Sequence, residues 1–264
     1  MSRERRLVFG EVAELYDEHR PVYPDRLVDD VVALAGLDGN NAVLEVGAGT
    51  GKATAMFAGR GIPIVAVEPS EEMGAVARRK LAAYRDVEFE RADFEAWDPA
   101  GRQFPLVFSA QAWHWIEPSI GYAKVRWALA IDGILAAFWN RSDWARSPSR
   151  NVLIAAYQDA APDVAPDTDP MHPARELVDE HERWKEQIAD TDGLADVGAR
   201  LYEWSLSYTA DEYVGRLRTS SGVTLLDTAQ RAALMDAVQT AILESGAKLT
   251  LPQSTQLCVA RRTD

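Results

Sequence analysis

Gly47, Gly49 and Gly51 occupy alternate positions in AVLEVGAGTGKAT (residues 42–54), directly after a short apolar run, with Glu45 two residues ahead of the first. Glycines so spaced let a backbone turn through left-handed conformations and lie close to a ligand, because no Cβ intervenes. Three ligand chemistries use such a loop. The phosphate loop G-x-x-x-x-G-K-[ST] would need its first glycine at Val46 and its hydroxyl at Ala53, and both fail. The dinucleotide fingerprint G-x-G-x-x-G is met at Gly47 and Gly49 but finds Lys52 at its third glycine, and Glu45 would oppose a pyrophosphate. S-adenosylmethionine carries no phosphate. Its ammonium and sulfonium suit a nearby carboxylate, and its amino-acid part and ribose fit beneath alternating glycines. The loop selects the third.

EVGAGTG also meets every defined position of [DE]-x-G-x-G-x-G, and the chain resembles the class I S-adenosylmethionine-dependent methyltransferases, whose first motif this is. The resemblance implies that Glu45, Gly47, Ala48, Gly49 and Gly51 line the cofactor. It gives Glu68 of VAVEPSEEM, followed by Pro69, the two ribose hydroxyls, each charge-assisted bond contributing about 1.5–3 kcal/mol. It sets Met73 against the adenine, Asp93 on the adenine amino group and the Phe94 backbone N–H on the ring, with Gln111 near the methionine end. SAQAWHWIEP and the early FGEVAELYDEHRPVYP look like the branch containing menaquinone/ubiquinone-biosynthesis and trans-aconitate methyltransferase-like proteins, often A-x-x-x-H-W at the former place. The likeness is good over residues 8–140 and weaker beyond.

Methyl transfer from a sulfonium is an in-line displacement with a neutral leaving group. It needs no acid, and holding the reacting atoms in line can supply up to about 7–11 kcal/mol. A base is needed only if the acceptor must lose a proton, and His114, after the fourth strand, is the candidate, with packing between Trp113 and Trp115 as its plain alternative. A small-molecule acceptor is expected against Tyr16, Arg20 and Tyr23 from the opening segment and Trp113, Trp139, Asn140 and Trp144 beyond the sheet. Arg20 could hold a substrate carboxylate or the cofactor's own. No metal site is expected, since His172 and His181 are nine residues apart with no Cys partner. Two other readings compete: a non-catalytic module that binds the sulfonium cofactor or its product, and an NAD-dependent oxidoreductase, which Lys52 and Glu45 disfavour.

The elements that must position these residues alternate. Apolar runs at 42–46, 62–68, 87–92, 104–110 and 133–140 are separated by helical stretches near 51–60, 70–84 and 119–130, the pattern of a parallel sheet covered on both faces. Helices are also expected at 11–19, 25–35, 147–160 and 174–188, with an apolar stripe of Leu177, His181, Trp184 and Ile188 on the last. Thr209 with Glu212 and Asp227 with Gln230 carry capping-box spacing, and strand-like runs at 199–208 and 249–260 close the chain. With the resemblance, this implies an α/β fold with a Rossmann-like seven-stranded sheet, mostly parallel with the last strand antiparallel, helices on both faces and a helical insertion or cap. One methyltransferase domain over 1–264 is expected, comprising an opening lid (1–36), a cofactor-binding core (37–140), the insertion (141–195) and a closing part (196–264).

The chain has 264 residues and a formal net charge of −13, which disfavours nucleic acid and anionic membrane as partners. No apolar run reaches membrane-spanning length, MSRERRLVFGEV lacks a signal-peptide core, and Cys258 is the single cysteine. A cytoplasmic enzyme is the expectation, as a monomer or a homodimer.

Overall fold

The computed structural model describes residues 13–162, 170 and 178–264. The opening MSRERRLVFGEV, most of the Pro- and Asp-rich connector, His172 and Leu177 lie outside the described residues. After helices α1 (Ala13–His19) and α2 (Asp25–Leu34), strand and helix alternate as β1 (Val43–Val46), α3 (Lys52–Ala58), β2 (Ile64–Val67), α4 (Glu71–Lys80), β3 (Val87–Glu90), β4 (Phe104–Ala110), α5 (Pro118–Ala128) and β5 (Leu129–Ser142). Then come α6 (Arg150–Ala160), α7 (Val178–Ala189), β6 (Leu194–Thr209), α8 (Ala210–Arg218), a single turn at Ser221–Thr224, α9 (Thr228–Glu244) and β7 (Lys248–Arg262).

The seven strands form one sheet in the order β3-β2-β1-β4-β5-β7-β6, a Rossmann-like arrangement. The first five pair in parallel, and β7 runs antiparallel between β5 and β6. β5 begins earlier than the apolar run at 133–140: Leu129 already pairs with Phe104. The ladder is then interrupted where Asp132 takes φ +63° and Gly133 is crowded by the carbonyls of Ala130, Phe104 and Pro105. A Cβ there would sit 2.9–3.2 Å from those oxygens, so the glycine is a packing requirement.

Alternate side chains of each strand feed opposite faces. Val43, Ile64, Leu106, Phe108, Ala136 and Phe138 pack beneath Leu27, Val28 and Val31 of α2 and Phe57 of α3. Leu44, Val46, Val65, Val107, Leu135 and Ala137 pack on the other side against Tyr122 and Val125 of α5 and Trp184 and Ile188 of α7. The stripe read at 181, 184 and 188 is therefore a sheet-facing one, with His181 half-buried 3.4 Å from Asp196.

Among the described residues of 141–195, α6 and α7 join different clusters. While α7 covers the sheet, Leu153 and Tyr157 of α6 join Tyr213 and Leu217 of α8 and Leu234, Val238 and Ile242 of α9 in a third cluster with Leu249 and Leu251 of β7. That cap is thus drawn from two chain segments. The Thr209–Glu212 capping box forms with both reciprocal bonds, and Asp227 accepts from the Gln230 N–H. No helix among the described residues is long and apolar enough to cross a membrane.

Candidate functional site

β1 ends at the glycine loop, and all three glycines are left-handed, with φ of +72°, +57° and +77° at Gly47, Gly49 and Gly51. Their surroundings differ. A Cβ on Gly47 would stand 2.4 Å from Ala112 Cβ, and one on Gly51 would stand 2.8 Å from Leu81 Cδ1 and 3.2 Å from Ala77 Cβ. A Cβ on Gly49 would meet nothing within 4 Å among the described residues. Gly47 and Gly51 are glycines for protein packing, whereas Gly49 borders open space where a ligand can approach. Gly47 and Ala48 donate their N–H groups to the Val67 carbonyl, locking the loop to β2, and Ala48 is buried.

Two carboxylates frame that space. Glu68, at the end of β2, accepts from Gly49 N at 2.8 Å and Ser70 N at 2.9 Å, one bond to each oxygen. Both oxygens keep a lone pair for further donors. Burial pushes the Glu68 carboxyl up, the two N–H donors oppose it, and the exposed Asp93 nearby adds to the rise. Glu45 is 1% exposed; its Oε2 accepts from Thr54 Oγ1 at 2.6 Å, while its Oε1 has no hydrogen-bond partner. Burial pushes its carboxyl up to about 8, with Glu68 adding to the effect. A buried carboxylate with an idle oxygen is incomplete unless a cationic or donor group meets it. The residues present therefore fit the ammonium and ribose of the expected cofactor.

α1 is strapped across this loop. Lys52 Nζ donates to the Asp17 carbonyl at 2.5 Å, Lys80 Nζ to the Asp17 carboxylate at 2.7 Å, and Arg79 pairs with Glu14 at 2.6 Å. Lys52, which broke the dinucleotide fingerprint, thus clasps α1 to the loop. Burial pulls its ammonium down to about 8, against the attraction of Asp17. Asp17 and Thr54 are not legible in the sequence; a Thr at the third position of α3 and an Asp 35 residues before its Lys carry no local signal.

Four of the expected acceptor residues converge on the same region. Tyr16 lies within electrostatic reach of Arg20 and Glu68, and Tyr23 within reach of Tyr16 and Glu45. Tyr23 is buried edge-on against Phe138, with ring centroids 4.8 Å apart. Arg20 sits 5.4 Å over the Tyr16 ring and donates to Thr219 Oγ1 and the Thr219 carbonyl at 2.8 and 2.7 Å. Asn140 bridges the segment after α1 and the sheet, donating to the Val22 carbonyl at 2.9 Å and accepting from Thr255 at 2.6 Å. Gln111, left-handed at φ +58°, donates its side chain to the Asn140 carbonyl at 3.1 Å.

Two expected pocket residues are buried among other rings. Trp113 is buried between Phe94 and Tyr122, and Trp144 is buried edge-on to Tyr213 in the third cluster. Each is a large apolar side chain whose neighbours, invisible locally, offer a dry site. Phe94 points into the core, which leaves only its backbone for ligand contact. Met73 packs with Ala13 of α1 and with Val76, and Pro69 is half-buried next to Glu68 in the chain. His114 is exposed, and its Nδ1 accepts from Trp139 Nε1 at 3.1 Å. An indole N–H only donates, so this bond places the neutral ring's proton on Nε2. A base role through Nδ1 would require that bond to break. Among the described residues no three His, Cys, Asp or Glu stand close enough to hold a metal. Cys258 is buried, its thiol pushed up to about 12 by burial.

Residues 43–133 match the family model described as a methyltransferase domain. An uncharacterized methyltransferase of Mycobacterium tuberculosis is 34% identical over 145 residues, 53% of this chain and 55% of that protein. The chain thus spans about half the length of the curated relatives it matches. Among solved structures, a protein described as a type II methyltransferase from Anaeromyxobacter dehalogenans superposes with TM-score 0.62 at 21% identity, covering 92% of this chain and 98% of that one. A Haemonchus contortus phosphoethanolamine N-methyltransferase, solved with S-adenosylhomocysteine, superposes with TM-score 0.53 at 12% identity over 97% of this chain and 57% of its own. The shared feature is the Rossmann-like methyltransferase fold.

Proposed function

We propose that this chain, whose fold is that of the class I S-adenosylmethionine-dependent methyltransferases, binds S-adenosylmethionine along the glycine loop and transfers its methyl group to a small-molecule acceptor. One observation carries the reading: the open face of Gly49, whose N–H fixes Glu68, follows directly on the strand that carries the unpartnered oxygen of buried Glu45. In this reading Glu45 answers the ammonium, Glu68 the ribose hydroxyls, and Asp93 with the Phe94 backbone the adenine. When bound, the cofactor supplies an electrophilic methyl on a cationic sulfur. The protein's part is to hold the acceptor in line and exclude water, for which the strapped α1 helix and the Tyr16, Tyr23 and Phe138 rings are suited. The AWHW segment favours the menaquinone/ubiquinone-biosynthesis and trans-aconitate-like branch, and the acidic surface favours a small cytoplasmic acceptor over nucleic acid or membrane.

Isothermal titration with S-adenosylmethionine, S-adenosylhomocysteine and NAD in parallel tests the reading. Micromolar binding of the two sulfur compounds without NAD is expected; NAD binding alone would overturn it. Glu68→Ala should weaken S-adenosylmethionine at least tenfold, the loss of about 1.4 kcal/mol or more in ribose bonds. Unchanged affinity would remove Glu68 from the site. His114→Ala should leave cofactor affinity within twofold and lower turnover. A pH–rate profile that keeps its acid limb in this variant would assign His114 to positioning with Trp139, since a base would take that limb with it.

A further inference from the structure

Arg216, in the last turn of α8, is half-buried and meets no carboxylate within ion-pair distance among the described residues, in a chain of formal net charge −13. Two of its donors are used: NH1 on Tyr208 Oη at 2.7 Å and NH2 on Ser142 Oγ at 2.8 Å. The guanidinium lies 5.5 Å from the Tyr208 ring centroid. The ring and the end of α8 favour the cation, but its hydrogen-bond partners are two neutral hydroxyls and no counter-charge, and three of its five N–H groups remain for an incoming acceptor.

The surroundings repeat the deficit. Ser142 Oγ also accepts from Gln253 Nε2 at 3.3 Å, so both its lone pairs are engaged and its O–H must find another acceptor. Gln253 is fully buried, yet its Oε1 has no hydrogen-bond partner. Ser142 and Gln253 face each other across β5 and β7, two residues beyond the Asn140–Thr255 pair that holds the segment after α1. Thr219, which takes Arg20, donates its own hydroxyl to the Arg216 carbonyl at 2.7 Å. The cluster therefore adjoins Arg20 and Tyr16, and through Tyr16 it reaches Glu68.

We infer that Arg216, with Ser142 and Gln253, forms an anion subsite that anchors a carboxylate of the methyl acceptor, making the acceptor a small organic acid. The inference rests on the methyl-transfer reading above. A guanidinium matches a carboxylate by two parallel N–H···O bonds, and the Ser142 O–H adds a third donor. Gln253 then offers its free oxygen to a hydroxyl or N–H on the same molecule.

The test uses the full chain saturated with S-adenosylhomocysteine, binding being confirmed by calorimetry first. Benzoate and succinate are titrated against benzamide and succinamide, and methyl transfer from S-adenosylmethionine is measured over organic acids paired with their amides. The acids should bind, or be turned over, at least tenfold better than the amides. Arg216→Gln should cut that preference below threefold with cofactor affinity within twofold, and Arg216→Lys should keep part of it. Should Arg216→Gln fail to fold, Ser142→Ala and Arg216→Lys carry the comparison. Parity of acid and amide in the unmodified protein, or an acid preference that survives Arg216→Gln, overturns the subsite. Absence of S-adenosylhomocysteine binding at the first step overturns the methyl-transfer reading instead, so the two failures are separable.

Discussion

Glu45→Gln is expected to weaken S-adenosylmethionine by about two orders of magnitude, roughly 2.7 kcal/mol, and at the same time to stabilise the empty protein at pH 8. Both effects come from one burial. In the empty site the Glu45 carboxyl is held up to about 8, so between the unfolded value near 4.5 and about 8 the folded state binds the extra proton. Stability then falls as pH rises through that window, because ionising Glu45 in the folded state must be done without water. By pH 8 the penalty is on the order of 4 kcal/mol, which a neutral amide avoids while still accepting from Thr54. The melting temperature of the empty wild type should therefore fall from pH 5 to pH 8, and that of the variant should fall less, the remaining slope belonging to Glu68, whose carboxyl burial also raises. A cationic ligand reverses the balance by ionising Glu45. Binding near pH 7 should release close to one proton, visible as a buffer-dependent heat in calorimetry and lost in the variant. A variant that keeps wild-type affinity and proton release would remove Glu45 from the cofactor site.

The same residue shows what the sequence could and could not disclose. Glu45 and the three glycines are legible because a strand, a carboxylate and a turn are contiguous, and the succession of parallel strands follows from local alternation of apolar runs and helices, though their order in the sheet does not. Glu68 is legible as the end of the next strand. What completes the site is non-local. Asp17 reaches Lys52 across 35 residues and Arg20 reaches Thr219 across 199, so no periodicity announces either. Trp113 and Trp144 are ambiguous for the opposite reason: an aromatic beside a predicted pocket reads as a wall, and only the packed neighbours Phe94, Tyr122 and Tyr213 show each ring to be buried. His114 has the right residue type, but the proton bookkeeping of its ring depends on Trp139, one strand away.

Gly47 and Gly49 should respond to the same substitution in opposite ways. Both are left-handed, so alanine brings a backbone strain of about 1–2 kcal/mol at either position. At Gly47 the added Cβ would also stand 2.4 Å from Ala112, which belongs to the turn after β4 and cannot yield without moving that turn. Gly47→Ala should therefore lose about 3 kcal/mol or more of stability, read as a lowered melting temperature and urea midpoint. At Gly49 the Cβ enters open space, and the fold should lose no more than the backbone strain. If that space is where the ligand lies, Gly49→Ala should weaken S-adenosylmethionine at least tenfold, both by occupying the approach and by tilting the N–H that orients Glu68. A double comparison keeps the two causes apart, since Glu68→Ala in the Gly49→Ala background should add less than its effect alone when they share one contact. Full additivity would mean that the Gly49 N–H and the Glu68 carboxylate act on separate parts of the ligand. An unaffected Gly49→Ala protein would mean that the open face of the loop is not the cofactor's, however well the spacing of its glycines fits.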